Sequence, residues 1–547
     1  MKNRYSVLPI LLLLAVAWAG CSRNDDQTRY ISKNAIGVIS LNTERLAKKI
    51  VLSSLSGSSL MQQISKYLGS DSTNLDLEKT GIDPLSTFYA YAVADQRFSG
   101  GSRFVIILPL KKADNFNAFL KSKFPSLQAT KNGAWVVAAI SENAAIGWDE
   151  HTAIVVSAGG DYYDNTSNGQ SLAAAVAETF NLKKEESLAS AENFKEMAEN
   201  NHDIGYWVNY EVMAATLPQD QMGSPGAILA TQKKLVKDAY VIGGVDFEKG
   251  KVMGTANYHY NPTMGAILAA FESNNDNDDL LHHIPGRQMN LMLDTHFDPK
   301  GVKVLIDSLG QYPLVESALK EYGLSTDKVL AAFTGDFLVS VADFTIKTES
   351  RSYAMGDENY SYTSPTPHFK ANMVFKIGDH AAFDQLMQVA LQNEILTQAG
   401  AGIYKLGEFA TLVVKGNYAA VSNDAAVAAA ATQNAAVPAN IPSELKEKPT
   451  AFYADIKNSI RPLPLDLLYG KEDTAVFADG KKLIESITGY SKKPSKKSTE
   501  IYFEVKFQNK DENSLMQIIN FAQKVADAES RNGNEQEETY PADSTDI

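Results

Sequence analysis

The sequence predicts an α+β protein: a signal peptide and flexible tether, then two tandem copies of one unit whose sheets are mainly antiparallel. Three observations point there. Short stretches of alternating apolar character read as strands, and many are separated only by tight turns, which join antiparallel neighbours. Helical stripes of about ten or more residues run between them. The same elements then return in the same order roughly 250 residues later.

Each copy opens on a strand entered from a polar turn. Ile31 to Asn42 alternates in this way, and Pro285 to Thr295 has the same shape, with Leu293 lying 254 residues beyond Ile39. Val93-Ala94-Asp95 ends a strand and Val341-Ala342-Asp343 does so 248 residues on. The helix stripe Phe116, Phe119, Leu120 and Phe124 is repeated by Phe383, Leu386, Met387 and Leu391 at an offset of 267. A three-strand meander follows in each copy, at 135–140, 144–148 and 152–157, then at 403–406, 411–414 and 418–422. Further strands at 205–210 and 451–456 precede closing helices. Their stripes, Met264, Ile267, Leu268, Phe271 and Leu515, Ile518, Ile519, Ala522, share an offset of 251. The copies therefore run over 30–273 and 284–528. An acidic linker, 274–283, separates them, and an acidic tail, 529–547, is too polar to fold.

The N-terminus carries an address. Met1-Lys2-Asn3-Arg4 is basic, and Leu8 to Ala19 is a nearly unbroken apolar run ending in small residues, the pattern of a cleaved secretory signal over residues 1–20. About a dozen apolar residues cannot cross a bilayer core that needs roughly 20. Cys21, the only cysteine of 547 residues, stands where the run stops. Trp18-Ala19-Gly20-Cys21 resembles the bacterial lipobox, although Trp18 replaces the usual aliphatic residue. The resemblance implies that Cys21 carries the lipid and that the chain meets the membrane through it. Residues 21–29 then form a polar tether, and Asp25-Asp26 resembles the surface-export signal of Bacteroidota lipoproteins. This implies an outer-membrane lipoprotein that is surface-exposed. Without a second cysteine the mature chain forms no internal disulfide.

The net charge is −14, and removing Lys2 and Arg4 with the signal takes it to −16. Such a body repels phosphate backbones, which excludes nucleic acid as a partner, and it is not drawn to anionic lipid, so acyl chains must anchor it. At 44% hydrophobic and 21% charged the composition is ordinary globular material. The lipobox, the opening strand Ala35 to Asn42 and the overall length together resemble an uncharacterised family of Bacteroidota lipoproteins classed as a domain of unknown function. That resemblance implies a cell-envelope location and brings no catalytic residues.

Chemistry is scarce. The eight histidines include no zinc-protease pair, and there is no Gly-x-Ser-x-Gly elbow. His282-His283 after the acidic run lacks the glycine and terminal glutamate of a calcium loop, so the segment reads as solvated linker. Lys492 to Lys497 reads as a solvated basic loop. No metal and no cofactor are predicted. The one informative asymmetry is an insertion of 17 residues, since Asp95 to Arg103 spans eight positions and Asp343 to His368 spans 25. It carries Arg351, Tyr353, Asn359, Tyr360 and Tyr362, which supply stacking faces and hydrogen bonds for a protein or glycan partner. Read more plainly, it is an extended hairpin whose tyrosines cover neighbouring apolar surface. The expected function is a non-enzymatic envelope lipoprotein that binds a partner or organises a complex. A hydrolase with a sequence-dispersed active site and a glycan-capture surface lipoprotein remain the alternatives.

Overall fold

The computed structural model describes residues 27–53, 77–98, 101–158, 169–216, 233–273, 278–355, 358–464 and 474–538. The chain divides into two compact units, an α+β fold with antiparallel pairing in each. The first unit takes the described residues before Ser224, with Lys233–Phe247 and Gly254–Asn261. The second takes Glu248–Met253 and everything described from Pro262 on. The helix Pro262–Ala270, expected to close the first copy, thus groups with the second unit.

The first unit is built on β1 (Ala35–Leu41), β2 (Phe88–Ala94), β3 (Ser102–Pro109), β4 (Ala129–Asn132), β5 (Trp135–Ser141), β6 (Ala144–Trp148), β7 (Thr152–Ala158), β8 (Ile204–Asn209), β9 (Tyr240–Glu248) and β10 (Lys251–His259), except that Glu248 of β9 and Lys251–Met253 of β10 group with the second. Their spatial order is β10-β9-β8-β1-β2-β3-β7-β6-β5-β4. Alternation puts one register row, Val156–Val105–Tyr91–Val38–Trp207–Ile242, on a single buried face. Helices α1 (Ala113–Lys123), α2 (Gly169–Phe180) and α3 (Glu192–Glu199) supply the cover. Leu172 and Val176 of α2 and Phe194 of α3 lie over that row, and Phe194 meets the Trp207 ring edge-on at 5.9 Å. Phe116 and Leu120, the predicted stripe of α1, pack on the opposite face against Trp148.

The second unit repeats the pairing pattern. It is built on β11 (Met289–His296), β12 (Phe333–Met355), β13 (Glu358–Ile377), β14 (Thr397–Gly400), β15 (Ile403–Leu406), β16 (Ala410–Lys415), β17 (Tyr418–Ser422), β18 (Thr450–Asp455), β19 (Ile484–Ser491) and β20 (Ser498–Phe507). These stand in the order β20-β19-β18-β11-β12-β13-β17-β16-β15-β14. Helix α4 is Pro262–Ala270, and α5 (His380–Gln392) lays Phe383 and Met387 over Phe375 and Ile377 on one face. Asp379 caps α5 by accepting from the backbone N–H of Ala382 at 2.9 Å. The final helix α6 (Ser514–Glu538) continues well past Ala528, so the first half of the expected tail is helical.

Three expectations are corrected by packing. The end of the expected linker, Asp278–His283, is a 3-10 helix whose Leu280 and Leu281 are buried in the second core with Ile441 and Leu445. Two leucines offset the cost of ordering the acidic residues around them. The strand expected to end at Asp343 instead bends there: Asp343 adopts φ of +54° at a register shift, and β12 runs on. Finally, Ala35 pairs with Val93 and Met289 with Ala342, so Val93 answers to Ala342, one place from the match read in sequence.

Candidate functional site

The insertion is a ribbon. Beyond the bulge at Asp343, β12 and β13 pair without a break from Thr345↔His368 to Met355↔Glu358, eleven pairs past the bulge. Ser, Thr and Tyr dominate both strands, residues that favour extended backbone on a solvated surface. Arg351 stands opposite Tyr362 and Tyr353 opposite Tyr360, so these four positions share one face of the ribbon. Asn359, opposite Ala354, has the other parity and lies on the reverse face. Tyr360 and Tyr362 are 43% and 48% exposed. Cys21 lies outside the described residues.

Charge pins the ribbon at its root. Asp343 accepts hydrogen bonds from the backbone N–H groups of Arg287 (3.1 Å) and Gln288 (3.0 Å) and pairs with Lys370 at 2.7 Å. Burial alone would raise its carboxyl, but Lys370 and the two N–H groups outweigh burial and hold it below the usual range. Further out, the His368 hydrogen bond at 2.8 Å holds the Glu349 carboxyl low. Phe344 and Phe369 stack at 6.4 Å beside the bulge.

A buried charge cluster in the second unit has no motif in the sequence to announce it. His296, on β11, places Nδ1 2.9 Å from Asp336 and Nε2 3.2 Å from Asp294, and all three side chains are nearly sealed from solvent. Burial would push the imidazole down, but the hydrogen bonds and charges of the two carboxylates push it up to about 10. The Thr334 hydroxyl donates to Asp336 at 2.8 Å. A ring that keeps both protons through neutral pH is an ion-pair element and not a general base. His283, the other histidine of interest, is also buried: its Nδ1 lies 2.8 Å from the carbonyl of Ala431, and its ring packs at 3.9 Å on Tyr418. The solvated reading of His282-His283 therefore holds for neither the helix nor this ring.

Also missed in sequence is an apolar sheet face. The register row Met373–Val339–Leu293–Phe452–Gly489–Phe503 crosses six strands, with Met373, Val339, Leu293 and Phe503 each between 37% and 39% exposed. A cavity of about 220 Å³ opens beside it, lined in part by Leu268, Phe271, Phe297 and Ile501. A larger hollow of about 540 Å³ holds Asp298, Lys300, Lys303 and Asp327, of which Lys303 and Asp327 neutralise each other at 2.6 Å. Both are parts of the second unit. The signal for the row was present as the three consecutive apolar residues Leu291-Met292-Leu293 of β11, which alternation alone reads as one-sided.

Over residues 29–356 the sequence matches the family described as a domain of unknown function (DUF4836). The chain belongs to this family. The DUF4836 match takes in the first unit and reaches the tip of the ribbon, so it includes Arg351 and Tyr353 and stops before Tyr360 and Tyr362. No curated protein matches the chain. Among solved structures, crystal form IV of TP0453 is similar at 11% identity over 43% of this chain and 80% of that one, with a TM-score of 0.25. Crystal form I of TP0453 is similar at 10% identity over 44% and 80%, with a TM-score of 0.24. Likeness of that degree says nothing about function.

Proposed function

We propose that this DUF4836 protein is a lipid-anchored envelope protein, held in the outer membrane through Cys21, that contacts a protein partner and performs no chemistry of its own. The observation that carries the reading is the ribbon: eleven strand pairs that bury no core and present Arg351, Tyr360 and Tyr362 on one face. Aromatic and arginine side chains dominate the energetics of protein contacts, and a strand scaffold holds them in fixed positions. The signal-like residues 1–20 and the lipobox-like Trp18 to Cys21 support the anchor.

We also propose that the two units arose by duplication, because ten strands recur in one pairing order. A shared pairing supports it. Tyr206 faces Gly243 across β8 and β9, and Phe452 faces Gly489 across β18 and β19, each 246 residues apart from its counterpart. In the first unit a Cβ on Gly243 would sit 2.4 Å from the Tyr206 ring, whereas in the second a Cβ on Gly489 would meet Tyr502 and Phe503 and not Phe452, so the pairing is common and the packing over the glycine is not.

The test is crosslinking in the native cell with residues 345–367 replaced by the short turn 96–102. Loss of specific neighbours, with folding intact, supports the reading, and an unchanged neighbour set sinks it. Fatty-acid labelling of Cys21→Ala tests the anchor: label retained on the variant would exclude lipidation at Cys21.

A further inference from the structure

The ribbon has two outer edges, and they are not alike. A strand in an antiparallel ladder points N–H and C=O inward at every second residue and outward at those between. The ladder runs unbroken through Thr348↔Pro365 and Ile346↔Pro367. Proline has no N–H to give, so both must occupy positions that face away from β12. The outward groups of β13 are therefore those of residues 359, 361, 363, 365 and 367, and two of these five cannot donate. That edge is closed to a further strand, a common defence of exposed edges. By the same alternation β12 turns the N–H and C=O of Ile346, Thr348, Ser350 and Ser352 outward, and none is proline. Among the described residues no strand pairs with this stretch.

A two-stranded ribbon is marginal in water, and a third strand stabilises it. The charge pattern along the open edge says which strand fits. Lys347, Glu349 and Arg351 lie on one face at alternate positions. If the edge meets a copy of itself, antiparallel, about a two-fold axis through Ser350, every Glu349 comes opposite Arg351 of the other copy. An axis through Glu349 or Arg351 would instead set like charges face to face. An axis through Thr348 would also oppose Lys347 to Glu349, but it pairs only residues 345–351. Ser350 is the midpoint of the eleven-residue edge, so its axis alone uses the whole length. In that register Ser350 and Ser352 remain outward residues facing outward residues, as a hydrogen-bonded ladder demands.

We propose that the ribbon is a dimerisation arm, in which the open edge of β12 pairs antiparallel with the same edge of a second copy about Ser350. This rests on the reading of the ribbon as a contact surface and names its partner as the chain itself. The interface is isologous, so it closes at two copies and does not propagate. The closed proline edge prevents growth on the other side.

The test uses the mature full-length chain with Cys21→Ser, so that an introduced cysteine is the sole thiol. Across the axis the two Ser350 positions would stand about 5.5 Å apart at Cα, within disulfide range. Ser350→Cys should oxidise to a covalent dimer, and Ser352→Cys alone should not. Thr348→Cys mixed with Ser352→Cys should form the mixed dimer. By sedimentation, Glu349→Arg should weaken the dimer at least tenfold, and Glu349→Arg with Arg351→Glu should restore it. Equal crosslinking at 350 and 352, or no rescue by the double swap, overturns the register and with it the proposal. A chain that stays monomeric while its ribbon still crosslinks to other envelope proteins loses self-pairing only. A ribbon that contacts nothing loses the proposed function as well.

Discussion

The same sheet row is built in opposite ways in the two units. In the first, Val156, Val105, Tyr91, Val38, Trp207 and Ile242 form an apolar band across six strands. In the second, the positions equivalent by register are Ser422, Asn372, Ser340, Met292, Tyr453 and Thr488. Both rows are buried, every member below a tenth exposed. One pairing order therefore tolerates either a dry seam or a polar one. Neither seam is fully satisfied: in the second, neither side-chain polar atom of Asn372 nor the hydroxyl of Ser340 has a hydrogen-bond partner, and in the first the indole N–H of Trp207 lacks one. Such groups cost stability wherever they are buried unpaired. The first unit's row is all apolar or aromatic and lies within a larger buried cluster. The second unit also holds the buried His296 cluster and the buried leucines of the Asp278–His283 turn.

That contrast is most open to attack at Trp207. Trp207→Ala should destabilise the first unit by about 3–5 kcal/mol, the cost of a large aromatic cavity in a row with no polar fallback. Urea unfolding resolved by unit reads it, and a loss below about 1 kcal/mol would mean that the row is not the seat of stability.

His296→Ala should cost the second unit about 3–5 kcal/mol at neutral pH, because it strands two buried carboxylates. The pH dependence has a definite sign. The folded imidazole lies at about 10 against an ordinary value of 6.5, so its contribution is full below about 6.5 and disappears as pH climbs to about 10. Asp336, held below its ordinary range by His296 and Thr334 against burial, acts oppositely and withdraws stability in acid. The gap between wild type and variant should therefore close with rising pH. A gap that persists unchanged above pH 10 would assign the loss to packing and not to charge.

Asn372→Val should make the second row resemble the first, since Val105 is the equivalent residue. Removing a buried unpaired amide should stabilise by roughly 1–2 kcal/mol, seen as a higher unfolding midpoint. Destabilisation would show that the amide serves a buried partner such as an ordered water.

The smallest effect belongs to the ribbon. Replacing residues 345–367 by a short turn should leave the thermal midpoint within a few degrees, because the eleven pairs bury no core. A large drop would make the ribbon a structural element of the second unit.

Much of this was readable in advance. The helix stripe from Phe116 to Phe124 and its counterpart from Phe383 to Leu391 appeared as α1 and α5, because an i, i+3, i+4 stripe has one way to bury itself. The meanders appeared where short turns left no choice but antiparallel pairing. Of the candidate contact residues, the positions of Arg351, Tyr353, Tyr360 and Tyr362 share one face of the ribbon and that of Asn359 lies on the other, a division that only the pairing register decides. The linker was misjudged at its end because acidic residues dominate composition while Leu280 and Leu281 decide burial.

By itself the sequence determined the local order: which stretches are strands, which are helices, and where short turns force neighbours to be antiparallel. These follow from period and turn chemistry, which act over a few residues. Only the tertiary structure decided the register. Whether Val93 answers to Val341 or Ala342, whether His296 faces two carboxylates, and whether Ser350 turns its N–H outward all depend on pairings between residues far apart in the chain. A slip of one residue would exchange the two faces of every strand concerned, and the information that prevents it lies in packing across the sheet and not along the strand.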